Sequence, residues 1–146
     1  MDYRVERLRT PAECESFAKN ALARHHPELA LQARRKAIDL QVSTHETASA
    51  VEAEGLAAVY AYEALLTRRN GKKTRATATW QAVKRYGIIE AVQRTLKNRP
   101  PDEPGAVTLR DIGLEDLAFE ALVMRHEASF SAAAIEVSKA RLAAPG

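Results

Sequence analysis

Apolar positions recur along this chain at three- and four-residue steps, and nowhere in the two-residue alternation of a half-buried strand. The longest such run falls on Val51, Gly55, Ala58, Val59, Tyr62, Leu65 and Leu66. It predicts a long third helix, opened by a capping box at Ser43 and Glu46 and reaching about Arg69, as the central strut of the core. Before it, Thr10 and Glu13 form a second capping box with Pro11 at the first helical position. Phe17, Ala18, Ala21 and Leu22 continue that first helix to about His25. Pro27 opens the next, with Leu29, Ala30, Ala33, Ala37, Ile38 and Leu40 on its inner face. The charged opening MDYRVERLR is expected to be frayed.

Beyond the third helix, Asn70-Gly71 reads as a stop and turn. Thr74 is then expected as an N-cap for a fourth helix over 75–86, with Gly87 as a left-handed C-cap. A fifth helix over 88–97 should turn Ile89, Val92 and Leu96 inward. Residues 98–108, NRPPDEPGAVT, hold three prolines and a glycine and cannot continue a helix. A sixth helix is expected from Leu109 or Asp111 to His126, with Leu114, Leu117, Ala118, Ala121 and Leu122 as its stripe. Ser131 caps a seventh over 132–142, flanked by a Phe130–Ile135 hydrophobic staple and followed by a loose Ala-Ala-Pro-Gly tail. The fold class is therefore all-α: a compact bundle of six to seven helices in a single domain over 1–146. Its parts are an N-terminal hairpin (10–42), the long helix with its sequel (43–97), a Pro-rich linker (98–108) and a C-terminal helical pair (109–142).

Composition supports this class. The 146 residues are 46% hydrophobic and 28% charged, which suits one globular domain with a single core. About one residue in five is alanine, which favours helix and close helix contact. The N-terminal pair is similar to one tetratricopeptide unit, but no second copy follows at a fixed period. Cys14 is the only cysteine, which excludes an internal disulfide. No apolar signal region opens the chain, and no run approaches the ~18 apolar residues of a membrane span. A reducing cytoplasm is the expected setting.

Charge changes the picture more. Residues 68–99, RRNGKKTRATATWQAVKRYGIIEAVQRTLKNR, hold ten Lys or Arg against one acid, Glu90, a net of +9. The whole chain carries +3, so the remainder sums to −6. At 100° per residue the fourth helix sets Ala76, Trp80 and Val83 on one face, toward the third helix. Thr77, Ala78, Gln81, Lys84 and Arg85 share the other. Small and amide side chains near a helix start, with cations around them, suit entry into a major groove. Gln81 has the geometry to contact adenine N6 and N7, with Arg75 and Thr77 beside it facing bases, and the helix start favours a phosphate. The run TRATATWQAVKRYGI resembles the recognition helix of a helix-turn-helix protein, although the preceding helix is longer and the turn carries two lysines. The expected function is nucleic-acid binding, duplex DNA favoured, through Arg68, Arg69, Lys72, Lys73, Arg75, Thr77, Gln81, Lys84 and Arg85. The resemblance further implies a homodimer. The alternative is a non-catalytic adaptor or self-assembling protein whose basic face docks an acidic protein surface.

Other constellations point to no chemistry. His25, His26, His45 and His126 lack metal-ligand spacing, and one cysteine cannot build a zinc finger. Asn70-Gly71-Lys72-Lys73-Thr74 lacks the upstream glycine and strand of a phosphate loop. Glu52, Glu54 and Glu63, with Glu115, Asp116 and Glu120, are expected on solvated faces, and Tyr60, Tyr62 and Trp80 in the core. No enzyme activity, cofactor, metal, small-molecule substrate or membrane partner is expected.

Overall fold

The computed structural model describes residues 1–144, and among them the chain is all-α, with eight α-helices and no strand. Of the expected tail, Pro145 and Gly146 lie outside the described residues. Among the described residues no helix is long and apolar enough to cross a membrane. The contacts group into two compact units, Met1–Glu46 and Thr47–Gly146, within the span that the sequence presents as a single domain.

The first unit holds α1 (Tyr3–Glu6), α2 (Pro11–Ala23) and α3 (Pro27–Val42). The chain start is ordered rather than frayed. Asp2 accepts from the Arg4 N–H at 2.9 Å, its own N–H donates to Gln32 at 2.8 Å, and Val5 is fully buried. The Thr10–Glu13 capping box forms as expected, with both reciprocal bonds at 3.1 Å. Ala18, Ala21, Ala30 and Ala33 pack α2 against α3, with Leu8, Phe17 and Leu29 around them. Alanine lets the two axes come close where larger residues would hold them apart. The turn between them puts His25 in the left-handed region at φ 64°, and the His26 N–H returns to the Ala21 carbonyl at 2.8 Å. That 6→1 bond closes a Schellman turn with histidine in the usual glycine place. Cys14 is wholly buried, and burial pushes its thiol above its ordinary pKa, so it sits in the core as a small apolar group.

The second unit is built on α4 (Ala50–Asn70). Its start differs from expectation. Ser49, not Ser43, is the N-cap, accepting from the Glu52 N–H at 3.3 Å while Glu52 accepts from the Ala48 N–H at 2.8 Å. Ser43 instead ends α3, its hydroxyl donating to the Leu40 carbonyl at 2.6 Å. The buried positions of α4 are Gly55, Leu56, Ala58, Val59, Ala61, Glu63 and Leu65. They cover more than half the circumference, wider than the predicted stripe, because α6 and α7 both pack on this helix. Gly55 permits the approach of α6: a Cβ there would lie 2.6 Å from Ile88 Cγ1. Gly71, at φ 71°, ends α4 in the left-handed cap that Asn70-Gly71 predicts.

After α4 come α5 (Thr77–Tyr86) and α6 (Ile88–Asn98), separated only by Gly87. Gly87 has φ 87° and ψ 167°, not the left-handed cap expected but an extended positive-φ conformation essentially reserved for glycine. Ile88, Ala91, Val92 and Leu96 bury the inner face of α6. Ile89 is only half-buried, one step off the expected register.

The expected continuous helix over 109–126 does not form. Thr108 and Asp111 make reciprocal cap bonds at 2.8 and 3.3 Å, so a helical start is present. Gly113 then turns left-handed at φ 75°, and the Leu114 N–H closes onto the Leu109 carbonyl after a single turn. A 3-10 turn at Glu115–Leu117 and extended Ala118 precede the true helix, α7 (Phe119–Arg125). Ser131 caps α8 (Ala132–Ala143) as expected, accepting from the Ala134 N–H at 3.1 Å. Phe119, Leu122 and Val123 of α7 join Leu56, Val59 and Leu96 among the fully or nearly buried residues of this unit.

Candidate nucleic-acid interface

The basic segment runs from the last turn of α4 to the end of α6, all within the second unit. Its polar outer face comes from α5. Thr77, Ala78, Gln81, Lys84 and Arg85 are all exposed, as the helical wheel predicts, and so are Arg68, Lys72 and Lys73. Arg69 is not turned outward. Its Nε donates to the Val107 carbonyl at 2.7 Å and its Nη2 to Asp102 at 3.0 Å, tying the Pro-rich stretch to the end of α4.

The ten cations fall into two groups. Arg69, Arg75, Arg94 and Arg99 are ion-paired with Asp102, Glu63, Glu90 and Glu120. Arg68, Lys72, Lys73, Lys84, Arg85 and Lys97 pair with no carboxylate among the described residues and are all exposed. Arg99 is the most enclosed of the first group. It meets Glu120 at 2.7 Å with both side chains mostly buried, and lies 5.9 Å from the rings of Tyr62 and Phe119.

The start of α5 is where the sequence reading needs most correction. Thr74 does not cap it. The Thr74 N–H donates to Thr67 Oγ1 at 2.9 Å, and its hydroxyl donates to the Lys72 carbonyl at 2.9 Å, so this residue closes the preceding loop. The helix begins at Thr77 behind Ala76, which has no capping side chain. Glu63 of α4 supplies the acceptor instead. Its Oε2 takes three donors: the Ala76 N–H at 2.7 Å, the Trp80 indole N–H at 2.7 Å and Arg75 Nε at 2.8 Å. A carboxylate at the positive end of a helix is favourable, and it places an anion where a phosphate was expected.

Glu63 and Glu120 are therefore buried, contrary to the expectation of solvated acids, and each holds an arginine of the basic segment. Glu54 is half-buried and bonded to Arg125 at 2.9 Å and His126 at 2.8 Å. Burial raises its pKa, but the bonds from His126 and Arg125 outweigh that and leave the carboxyl below its ordinary value. Among the described residues no group of three or more His, Cys, Asp or Glu is placed to hold a metal ion.

Trp80 is half-buried rather than enclosed in the core. Its ring lies 4.9 Å from that of Tyr60 at a 56° tilt, and the Arg75 guanidinium stands 5.9 Å from its centroid. Arg75, Thr77, Trp80, Gln81 and Lys84 line an open surface depression of about 300 Å³. A second aromatic, Tyr86, is exposed at the end of α5 with the Arg94 guanidinium 3.8 Å from its ring centroid. The local pattern marks neither aromatic as part of a surface. The signal is interleaving with charge: Trp80 has Arg75 five residues before it and Lys84 four after it, and Tyr86 directly follows Lys84-Arg85.

No family model, curated protein or solved structure matches this chain.

Proposed function

We propose that this protein binds nucleic acid through the segment 68–99, with α5 set against the groove of duplex DNA and the surrounding cations on phosphates. One observation carries the reading. Lys72, Lys73, Lys84 and Arg85 are exposed without acid partners, and they flank an exposed helix face bearing Thr77 and Gln81. A solvated charged face made for solubility alone would mix both signs. Here the one acid of the segment, Glu90, is engaged with Arg94 and Gln93. Phosphates supply the missing counter-charge, and Gln81 and Thr77 supply groups able to meet base edges. A cytoplasmic location and a symmetric dimer complete the proposal, the dimer being the form in which helix-turn-helix readers commonly act.

The test is a salt titration of binding to random duplex DNA. Each phosphate contact contributes a slope of about −0.9 to log K against log salt. Six unpaired cations bound that slope at about −5, where ten would give about −9. Replacing Lys72, Lys73, Lys84 and Arg85 together by glutamine should remove most of the slope and most of the affinity. Binding undetectable at low salt, or unchanged in the quadruple variant, would overturn the proposal. Tight binding only to an acidic protein surface would replace it with an adaptor role.

A further inference from the structure

We infer that the depression on α5 takes an unpaired nucleobase stacked on Trp80, so that the ligand held most tightly is a strand with exposed bases. This rests on the phosphate-binding reading above and changes the form of the ligand. The depression has three properties that such a ligand needs. Its lining surface is mostly apolar and holds one aromatic ring, Trp80, beside the stems of polar and cationic residues. That ring is held in place, by the indole N–H on Glu63 at 2.7 Å and by the Tyr60 ring at 4.9 Å, so little ordering is left to occur on binding. It is shallow and open, about 300 Å³, which suits the flat face of one ring laid on the surface rather than an enclosed ligand.

The rim supplies the rest. Thr77 and Gln81, both exposed, carry donors and acceptors for the edge of a base. Lys84, on the same rim and without an acid partner, is placed for the attached phosphate. The charge of Arg75 is met by Glu63, and its guanidinium stands over the indole at 5.9 Å from the ring centroid, so a base entering the depression shares that face with Arg75, which is no phosphate anchor. An aromatic platform next to cations is how single strands are held with little sequence preference. A fully paired duplex hides the flat faces of its bases and cannot use this platform. An acidic protein surface would need the cations and not the indole.

The experiment uses the full chain at low salt, with a fluorescein-labelled single strand, the matching duplex and a mononucleotide as probes. Trp80 is the only tryptophan, so quenching of its emission reports occupation of the depression directly. The expected result is tighter binding of the single strand than of the duplex, with quenching. Trp80→Leu should weaken single-strand binding on the order of 5- to 100-fold, whereas Trp80→Phe keeps a ring and should lose much less. Both variants lose the N–H given to Glu63, so a merely structural role would weaken both alike. Equal binding of strand and duplex without quenching, or equal losses in the two variants, overturns the inference and leaves duplex binding standing. No binding of either polymer overturns both. A mononucleotide that binds as tightly as the strand overturns the assignment to a polymer.

Discussion

Replacing Glu63 by alanine takes one carboxylate oxygen away from three donors. The donors are not equivalent. The Ala76 N–H belongs to a residue only 5% exposed and would be left without an acceptor, at a cost of about 1–3 kcal/mol. The Trp80 indole N–H is half-buried and can recruit water, so its loss adds about 0.5–1 kcal/mol. The Arg75 side chain is 60% exposed, and its ion pair is discounted to about 0.5 kcal/mol for solvent screening. Relief of the buried carboxylate's desolvation offsets part of the sum. The net expectation for Glu63→Ala is destabilisation by about 2–3 kcal/mol. Glu63→Gln keeps an acceptor for Ala76 and Trp80, loses the charge, and should cost about 1 kcal/mol. Urea unfolding followed by Trp80 emission measures both, because the single tryptophan sits in this unit and on this bond. The emission of folded Glu63→Ala should also move to longer wavelength as the indole gains water. A change below about 0.5 kcal/mol with unmoved emission would refute the view that Glu63 holds the start of α5.

Two further expectations concern the same unit. Gly55→Ala adds a Cβ 2.6 Å from Ile88 Cγ1; overpacking of about 1–3 kcal/mol should exceed the roughly 1 kcal/mol gained in helix propensity, and thermal melts of Gly55→Ala should fall. Adding Ile88→Ala should recover part of that loss, whereas strict additivity would deny the contact. Glu54 has a folded pKa below its ordinary 4.5, so its contribution is present above that pH and lost as pH falls through the lowered value. Glu54→Gln should therefore flatten the acid limb of the stability curve below about pH 4.5 and leave the neutral slope alone; parallel curves would show that His126 and Arg125 do not stabilise the charged form.

Local signals read correctly where the partner lay within one turn. Thr10 with Glu13, Pro27, Gly71 and Ser131 each mark a boundary where the helix in fact begins or ends, because a cap needs only its near neighbours. Signals failed where the partner was distant or where two local rules competed. The start of α5 was misplaced because its acceptor, Glu63, lies 13 residues upstream on another helix. The start of α4 was misplaced because Ser43 and Ser49 are both followed by a glutamate at the third position, and the backbone uses only the second. The helix expected over 109–126 broke because the left-handed glycine at 113 outweighed the apolar spacing around it. For the candidate surface, the outer face of α5 follows from helical periodicity alone. Which cations are available does not, since Asp102, Glu63 and Glu120 take theirs from 33, 12 and 21 residues away.

Gly87 has an effect out of proportion to its size. Between Thr77 and Asn98 nothing else in the sequence would halt a helix: the residues on either side are ordinary helix formers. With any side chain at that point the favoured backbone is right-handed, and the two short rods would tend to fuse into one straight rod of some six turns. The missing carbon atom thus works as an elbow. It lets one rod sink its oily side into the interior while the other, bent away, keeps its glutamine and lysine in water.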